Sequence, residues 1–383
     1  MSIPTKKGRE SSETAETRRK VNEQALRVHR ILVINPGSTS TKIAVYRDTK
    51  PRLVETIRHS AEELAKFEKI TDQFSFRKEI ILQRLRAARE KLDEITAVIG
   101  RGGMIKPVES GVYEVNEAMK RDLIKGVMGE HASNLGGLIA DDIARSLPHA
   151  RAFIADPVVV DELHDLARVA GHPLFERKSI FHALNHKAVS RTFAQQIGKK
   201  YEELNLIVAH LGGGITVGAH EKGRVIDVNQ GLDGDGPFSP ERSGTLPVGD
   251  LARLCYSGKY TLEDVKKMIT GRGGLVAYLG TNDVYRINLM AEEGNEKAGF
   301  LLDAMAYQVA KEIGAMSAVL KGQVDAILLT GGIAFNNRVV DFIKVMVAHM
   351  ARVVVYPGED EMKALAMNAL QALRGEKEIK VYR

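Results

Sequence analysis

Residues 206–245, LIVAHLGGGITVGAHEKGRVIDVNQGLDGDGPFSPERSGT, decide how the chain is read. An apolar run from Leu206 to Ala209 meets His210 and then the glycine triplet Gly212-Gly213-Gly214. A second strand-like run follows from Ile215 to Ala219, and Glu221-Lys222-Gly223 reads as a turn. Two short β-type runs joined by a glycine corner predict a hairpin. Glycines at the corner let a ligand approach the backbone N–H groups with no Cβ in the way. Consecutive N–H groups form a concavity that suits an anion such as phosphate. The stretch closes on Pro240-Glu241-Arg242-Ser243-Gly244, an arginine in a turn-rich loop beyond the acidic residues Asp233 and Asp235.

The same plan stands near the start, in ILVINPGSTSTKIAVY (31–46). Asn35 aligns with His210, Gly37 with Gly212 and Thr41 with Thr216, at a constant offset of 175. The chain is therefore expected to be two similar halves, each opening with a phosphate-type hairpin. Two unrelated hairpins are the competing reading; an offset near half the ordered length favours duplication.

With 383 residues the chain can form two domains with a full core in each. It has 35 glycines, in keeping with many tight strand-to-helix corners, and one cysteine, Cys255. A single cysteine excludes a disulfide framework or a cysteine zinc site within one chain and fits a reducing, cytoplasmic setting. The net charge of +6 is unevenly placed: residues 1–30 hold eight Lys/Arg and four Asp/Glu, against 47 and 45 in the rest. The body is close to neutral and lacks a basic stripe interleaved with aromatics, which argues against a nucleic-acid partner. No apolar core of roughly 7–15 residues follows the basic N-terminus, as a secretory signal would require. No run reaches about 18 apolar residues, so no membrane partner is expected. Residues 1–30 read as a polar, disordered extension, with a short helix at 21–29.

Downstream, 61–68 and 76–93 have helical composition, with Ile80, Ile81, Leu85 and Leu92 marking an apolar side. ITAVIGRGG (95–103) is a strand running into a glycine corner with Arg101 at its tip. Residues 109–116 suggest a short β element, and helices are expected at 116–126, 135–146 and 182–198. AFIA (152–155) is a strand closed by Asp156-Pro157, which leaves the aspartate at a strand's C-terminal end. In the second half, helices are expected at 251–257, 261–270, 298–320, 338–350 and 361–374, a glycine-rich loop at 271–280 and a strand at 351–356. DAILLTGGIAFN (325–336) is a third strand-to-glycine corner. Alternating strands and helices predict an α/β fold with helices on both sheet faces.

The sequence has neither a P-loop nor a dinucleotide fingerprint after a strand. The protein-kinase motifs are missing too. What remains is a duplicated hairpin and a late Gly-Gly corner, with one hairpin from each half facing a shared cleft. INPGSTSTK (34–42), RGG (101–103), GEHASN (129–134), DPVV (156–159), RKSIFHALNHK (177–187), AHLGGG (209–214), ERSGT (241–245) and LTGGIAFN (329–336) resemble the acetate and butyrate kinase family. Gly213 within the triplet and Ala183-Leu184 after His182 are closer to its butyrate and branched-chain fatty acid kinases, since acetate kinases usually carry an asparagine and a Gly-Thr pair there.

The resemblance covers residues 31 to about 375. It implies the actin-like ATPase (ribonuclease H-like) fold with two duplicated domains around a nucleotide cleft. The domains would be 31–195 on the carboxylate and phosphate side and 196–360 on the nucleotide side, with 361–383 a closing helix and tail. It implies phosphoryl transfer from ATP to a short-chain carboxylate, giving an acyl phosphate and ADP, with Mg²⁺ and a homodimeric or larger assembly. Butyrate is the expected acceptor; acetate, propionate and branched acids are the alternatives, and a non-catalytic actin-like module is a remote one.

A carboxylate acceptor is already ionised at neutral pH and needs no general base. The difficulty is bringing an anion to the γ-phosphoryl group, so positioning and cationic stabilisation should carry catalysis. By the resemblance Arg101 and Arg242 flank that group and hold the substrate carboxylate, for which a planar guanidinium suits. His182 stabilises the in-line transition state, as imidazolium or as neutral donor, and His131 and His210 are further phosphate-side donors. His186, four residues on, reads as structural. Asn35 contacts the γ-phosphate, Ser38 and Ser40 the phosphate oxygens, and Lys42 reaches in from the second strand or faces solvent. Gly212, Gly213 and Gly214 cradle phosphate, and Gly331 and Gly332 let adenine and ribose lie against backbone. Asp156 and Glu361 stand on the Mg²⁺ side, Asp360 being the alternative to Glu361. Asp283 stands near the nucleotide, bracing Arg242, or caps a helix. Phe181 lines the acyl pocket or fills the core.

Overall fold

The computed structural model describes residues 28–383. Residues 1–27, with most of the expected extension and short helix, lie outside the described residues. In chain order the strands are β1 (Arg30–Pro36), β2 (Ser40–Arg47), β3 (Lys50–Arg58), β4 (Ala97–Arg101), β5 (Val112–Glu114), β6 (Arg151–Ala155), β7 (Asn205–Leu211), β8 (Ile215–Glu221), β9 (Arg224–Val228), β10 (Ala326–Gly331), β11 (Val353–Pro357) and β12 (Ile379–Val381). Four helices bear on the site: α1 (Asn134–Arg145), α2 (Ala183–Gln196), α3 (Glu296–Val319) and α4 (Glu361–Leu373).

The chain forms two compact units. Among the described residues, the first comprises 28–106, 111–157 and 361–383, the second 107–110 and 158–360. This division differs from a boundary at 195/196. Residues 158–195 go with the second unit because α2 packs on β7, and α4 returns to the first because it packs on β1, β4 and β6.

The first unit holds a seven-stranded sheet in the order β12-β5-β6-β4-β1-β2-β3. Its centre, Ile31 to Ile34 and Ala97 to Ile99, is fully buried. Such continuous apolar runs are what a strand covered on both faces needs. The second unit holds a five-stranded sheet in the order β11-β10-β7-β8-β9. Its core joins Ile207, Ala209, Val217 and Leu329 with Leu302, Met305, Val309 and Ile313 along the buried side of α3.

The two sheets repeat one another. β1-β2-β3 and β7-β8-β9 are antiparallel meanders, and β1 and β7 each take a parallel partner on the other side, β4 and β10. The register refines the repeat. Asn35 pairs with Lys42, whereas His210 pairs with Thr216. The first corner is one residue longer, so beyond it Thr216 answers to Lys42 and not to Thr41. Elements not anticipated include β3, β9, β12, the short helix Asp165–Arg168, the helix Gly274–Leu279 inside the expected loop, and the helix Val284–Glu292.

Candidate active site

In the first unit three of the expected residues meet in one contact group. Asn35 ends β1 and Arg101 ends β4, and the two strands run parallel as neighbours. Glu361, in the first turn of α4, meets both. Asn35 Nδ2 donates to Glu361 Oε2 at 2.6 Å. Arg101 Nη1 donates to Oε2 at 3.1 Å, and its Nη2 lies 3.0 Å from Oε1. Asn35 is buried, and its Oδ1 has no hydrogen-bond partner. An orphaned buried acceptor is costly unless a ligand supplies the donor. Asp156 Oδ1 accepts from Gly111 N at 2.9 Å, and the residue has a φ of 39°. His131 is exposed, and Ser133 N donates to its Nδ1 at 3.2 Å, which leaves Nε2 to carry the proton of the neutral ring.

The corner at residues 37–40 rests on a residue not anticipated from the sequence, Arg77. Its guanidinium is 1% exposed and donates to the carbonyls of Gly37 (2.8 Å), Ser40 (3.0 Å) and Ser38 (3.1 Å) and to Thr41 Oγ1 (3.0 Å). Gln73 Oε1 takes two further bonds. Arg77 has no ion pair among the described residues. Burial pushes its pKa down to about 10, so it is still a cation at neutral pH. With the corner carbonyls bound beneath, the side chain of Ser38 is on the exposed side, as is Lys42. The signal was present: Arg77, Ile81 and Leu85 lie at i, i+4 and i+8 and are the buried residues of their helix, so a cation occupies the apolar stripe.

The second unit gathers the other expected residues more closely. His182 precedes α2 and His210 lies on β7, and the rings stack with centroids 3.8 Å apart and planes 15° apart. His210 Nδ1 lies 2.8 Å from Asn185 Oδ1, and its Nε2 is 3.7 Å from Glu359 Oε2. A Cβ on Gly212 would come 2.8 Å from His210 Nε2, and one on Gly214 would overlap the Arg242 guanidinium. Only glycine at 214 lets Arg242 lie flat against this corner.

Arg242 donates to the Gly231 carbonyl, and its buried Nε has no partner. Among the described residues it forms no ion pair. Burial pushes its pKa down, and Glu241 opposes this in part. A planar guanidinium with a free Nε donor is the group that suits a bidentate anion. Ser239 Oγ donates to Gly213 O at 2.5 Å, and Asn229 ties the start of β8 by accepting from Val217 N at 2.7 Å and donating to Ile215 O at 3.1 Å. Gly331 has a φ of 90°, and a Cβ there would overlap the Leu211 backbone; nothing stands within 4 Å of a Cβ on Gly332.

Two expected residues are placed elsewhere. Asp283 caps the helix Val284–Glu292, its Oδ1 accepting from Arg286 N at 3.1 Å. Phe181 is buried with Val160, Leu163, Ala167, Ala183, Val225 and Val228, its ring edge-on to His186. Both placements follow the alternative reading of each residue, cap and core.

No group of three or more His, Cys, Asp or Glu gathers in a metal-binding arrangement among the described residues. Mg²⁺ on a nucleotide usually takes one or two carboxylates, with water and phosphate completing its shell, so Asp156 and Glu361 fit it without such a cluster. No helix among the described residues is long and apolar enough to cross a membrane.

The profile of the Acetokinase family matches residues 163–366. Among solved structures, the chain is similar to Porphyromonas gingivalis acetate kinase, with 19% identity and a TM-score of 0.74 over 90% of this chain and 99% of that one. It is similar to a propionate kinase from Francisella tularensis subsp. tularensis SCHU S4 at 19% identity and a TM-score of 0.71, over 89% and 98% of the two chains. The acetate kinase from Entamoeba histolytica follows at 17% identity and 0.69, over 88% and 97%. These likenesses bear on the fold, which is the duplicated α/β fold expected of an actin-like ATPase.

Proposed function

The chain belongs to the acetokinase family and is an ATP-dependent carboxylate kinase, and we propose that its acceptor is butyrate, converted to butyryl phosphate as ADP is released. The observation that supports this acceptor is the sequence beside the stacked histidines: Gly213 within the glycine triplet, and Ala183-Leu184, both buried, at the start of α2.

In this reading a butyrate oxygen attacks the γ-phosphorus in line, and the bond to the β–γ bridging oxygen breaks, leaving both electrons on ADP. No proton moves, so the side chains supply position and charge. Arg242, against Gly214, binds the transferring phosphoryl oxygens. His182 donates to them, and His210, stacked on it, fixes its plane. Asn35 offers its orphaned amide to a phosphate, Arg101 holds the carboxylate, and Glu361 fixes the Arg101 guanidinium. Asp156 and Glu361 would hold Mg²⁺, which would neutralise phosphate charge. The family resemblance also supports a homodimer or larger homo-oligomer, measurable by sedimentation.

Acyl-phosphate formation, trapped as hydroxamate with Mg-ATP and a series of C2 to C6 acids including branched ones, tests the acceptor. A maximum at the C4 acid is expected. A maximum at C2 or C3 overturns butyrate and leaves acetate or propionate. One methylene changes pocket binding by only about 1–3 kcal/mol, so the neighbouring acids should still react.

A further inference from the structure

His182 is the outer end of a buried chain of hydrogen-bonding groups that the mechanism above does not use. Its Nδ1 lies 2.9 Å from Thr216 Oγ1. Thr216 Oγ1 lies 3.0 Å from His186 Nε2, His186 Nδ1 lies 3.2 Å from His220 Nε2, and His220 Nδ1 lies 2.6 Å from the Tyr201 hydroxyl. Thr216, His186 and His220 are fully buried and Tyr201 is 4% exposed.

Each member transmits polarity. A neutral imidazole has one donor nitrogen and one acceptor nitrogen, and a hydroxyl has one proton to give. The Tyr201 hydroxyl, 2.6 Å from His220 Nδ1 and closer than Ser190 Oγ at 3.4 Å, therefore sets the tautomer that passes from ring to ring. Burial pushes the pKa values of His186 and His220 well down, and nearby Lys187 and Arg191 act in the same sense on His220, so both rings are neutral. A phenol donates more readily than it accepts, which places the Tyr201 proton toward His220 Nδ1. His220 then donates from Nε2 to His186 Nδ1, and His186 donates from Nε2 to Thr216. With one lone pair taken by His186, the Thr216 proton is available to His182 Nδ1.

We propose that Tyr201, His220, His186 and Thr216 are positioning residues that hold His182 with its proton on Nε2, as a neutral donor of fixed orientation. This rests on the kinase reading for its purpose, since that reading needs a donor to the phosphoryl oxygens. It also chooses between the two states open to His182, imidazolium and neutral donor. Protonating Nδ1 would require Thr216 to turn its hydroxyl back and both buried rings to exchange tautomers. It would also bring a new cation against the face of His210, 3.8 Å away.

The test is imidazole nitrogen NMR of the full-length protein labelled with ¹⁵N-histidine, with the His182 signals identified by their loss in His182→Gln. Wild type should show His182 protonated at Nε2 and unprotonated at Nδ1 at pH 7.5. Tyr201→Phe and Thr216→Val should each give mixed tautomers, and Thr216→Ser should restore the wild-type pattern. In turnover, Thr216→Val should lower kcat by about tenfold with little change in KM for ATP, and Thr216→Ser should recover it. A wild-type His182 protonated at Nδ1 overturns the proposal, as do His182 signals unchanged in both disrupting variants. The spectra need no substrate. A protein inactive on every acid that still shows the Nε2 proton and its loss in both variants keeps the relay and removes the kinase purpose.

Discussion

Arg101 and Glu361 are 260 residues apart in sequence and joined by two close contacts, 3.1 and 3.0 Å, with Glu361 Oε2 also taking the Asn35 amide. Glu361 was read from the sequence as a metal-side acid, and in the structure it bonds Arg101, expected at the carboxylate, and Asn35, expected at the γ-phosphate. The two roles separate on measurement. Glu361→Gln keeps the Asn35 contact and removes the charge that holds Arg101. If it acts through Arg101, KM for the carboxylate should rise about tenfold or more with the apparent Mg²⁺ affinity little changed, as loss of a bidentate charge-assisted contact implies. A fall in Mg²⁺ affinity alone would return Glu361 to the metal.

Gly214 and Arg242 make a steric prediction. A Cβ at 214 would overlap the guanidinium. Gly214→Ala should therefore displace Arg242 and lower kcat about 10²–10³-fold, the usual cost of losing one preorganised stabiliser. Arg242→Ala should do at least as much. Both should unfold within a few degrees of wild type, since Arg242 forms no ion pair among the described residues. Near-normal turnover in both would remove Arg242 from the mechanism.

The fold was legible where pattern and burial coincide. The two hairpins, the strand into Arg101 and the long helix α3 are continuous apolar runs or strong amphipathic stripes, and the structure has them within a few residues of expectation. β3 was missed because it carries Pro51 and is mostly exposed at the sheet edge, where apolar alternation is not demanded. The helix Gly274–Leu279 was hidden by the glycines that flank it. The constant offset of 175 found the duplication but not the extra residue in the first corner, because register is set by pairing and not by sequence spacing. Thr216 and Asn185 were illegible as site residues, and Arg77 showed only as a cation in an apolar stripe: each acts through a neighbour brought close only by the fold.

Arg77 illustrates the cost of such a residue. Replacing it leaves the carbonyls of Gly37, Ser38 and Ser40 without their buried donor. Arg77→Met should destabilise the protein by about 2–4 kcal/mol and raise KM for ATP as the corner relaxes. Arg77→Lys should rescue little, since one ammonium cannot span the positions that a forked guanidinium reaches. Urea unfolding and ATP titration of the two variants measure this; a lysine variant equal to wild type would show that charge alone suffices.

The buried histidines fix the acid side of the stability profile. His186 and His220 have folded pKa values well below 6.5, so below that pH the unfolded chain takes up protons that the folded chain refuses. Stability should be full above about pH 6.5 and fall below it, by up to about 1.4 kcal/mol per pH unit for each ring. His59, held down by burial and by Arg77, adds in the same direction. In urea titrations between pH 7.5 and 5.5, His220→Gln should flatten the slope by about one proton, and an unchanged slope would show that His220 is not buried neutral.

Glu312 should act with the opposite sign. Burial raises its pKa to about 6, Asp235 and Asp227 push the same way, and Arg177 and Lys311 oppose them. The folded chain therefore binds this proton more tightly than the unfolded chain. The stability it contributes is present below about pH 4.5 and lost as pH rises through about 6. Above that pH an ionised, half-buried carboxylate faces two others. Glu312→Gln keeps the shape of the protonated acid and removes this charge, so at pH 7.5 it should stabilise the protein by about 1 kcal/mol. The gain should shrink to nothing by about pH 4.5, where wild type is itself protonated. Paired unfolding curves at the two pH values decide it: equal gains at both would mean that the amide improves packing and that charge is not the cause.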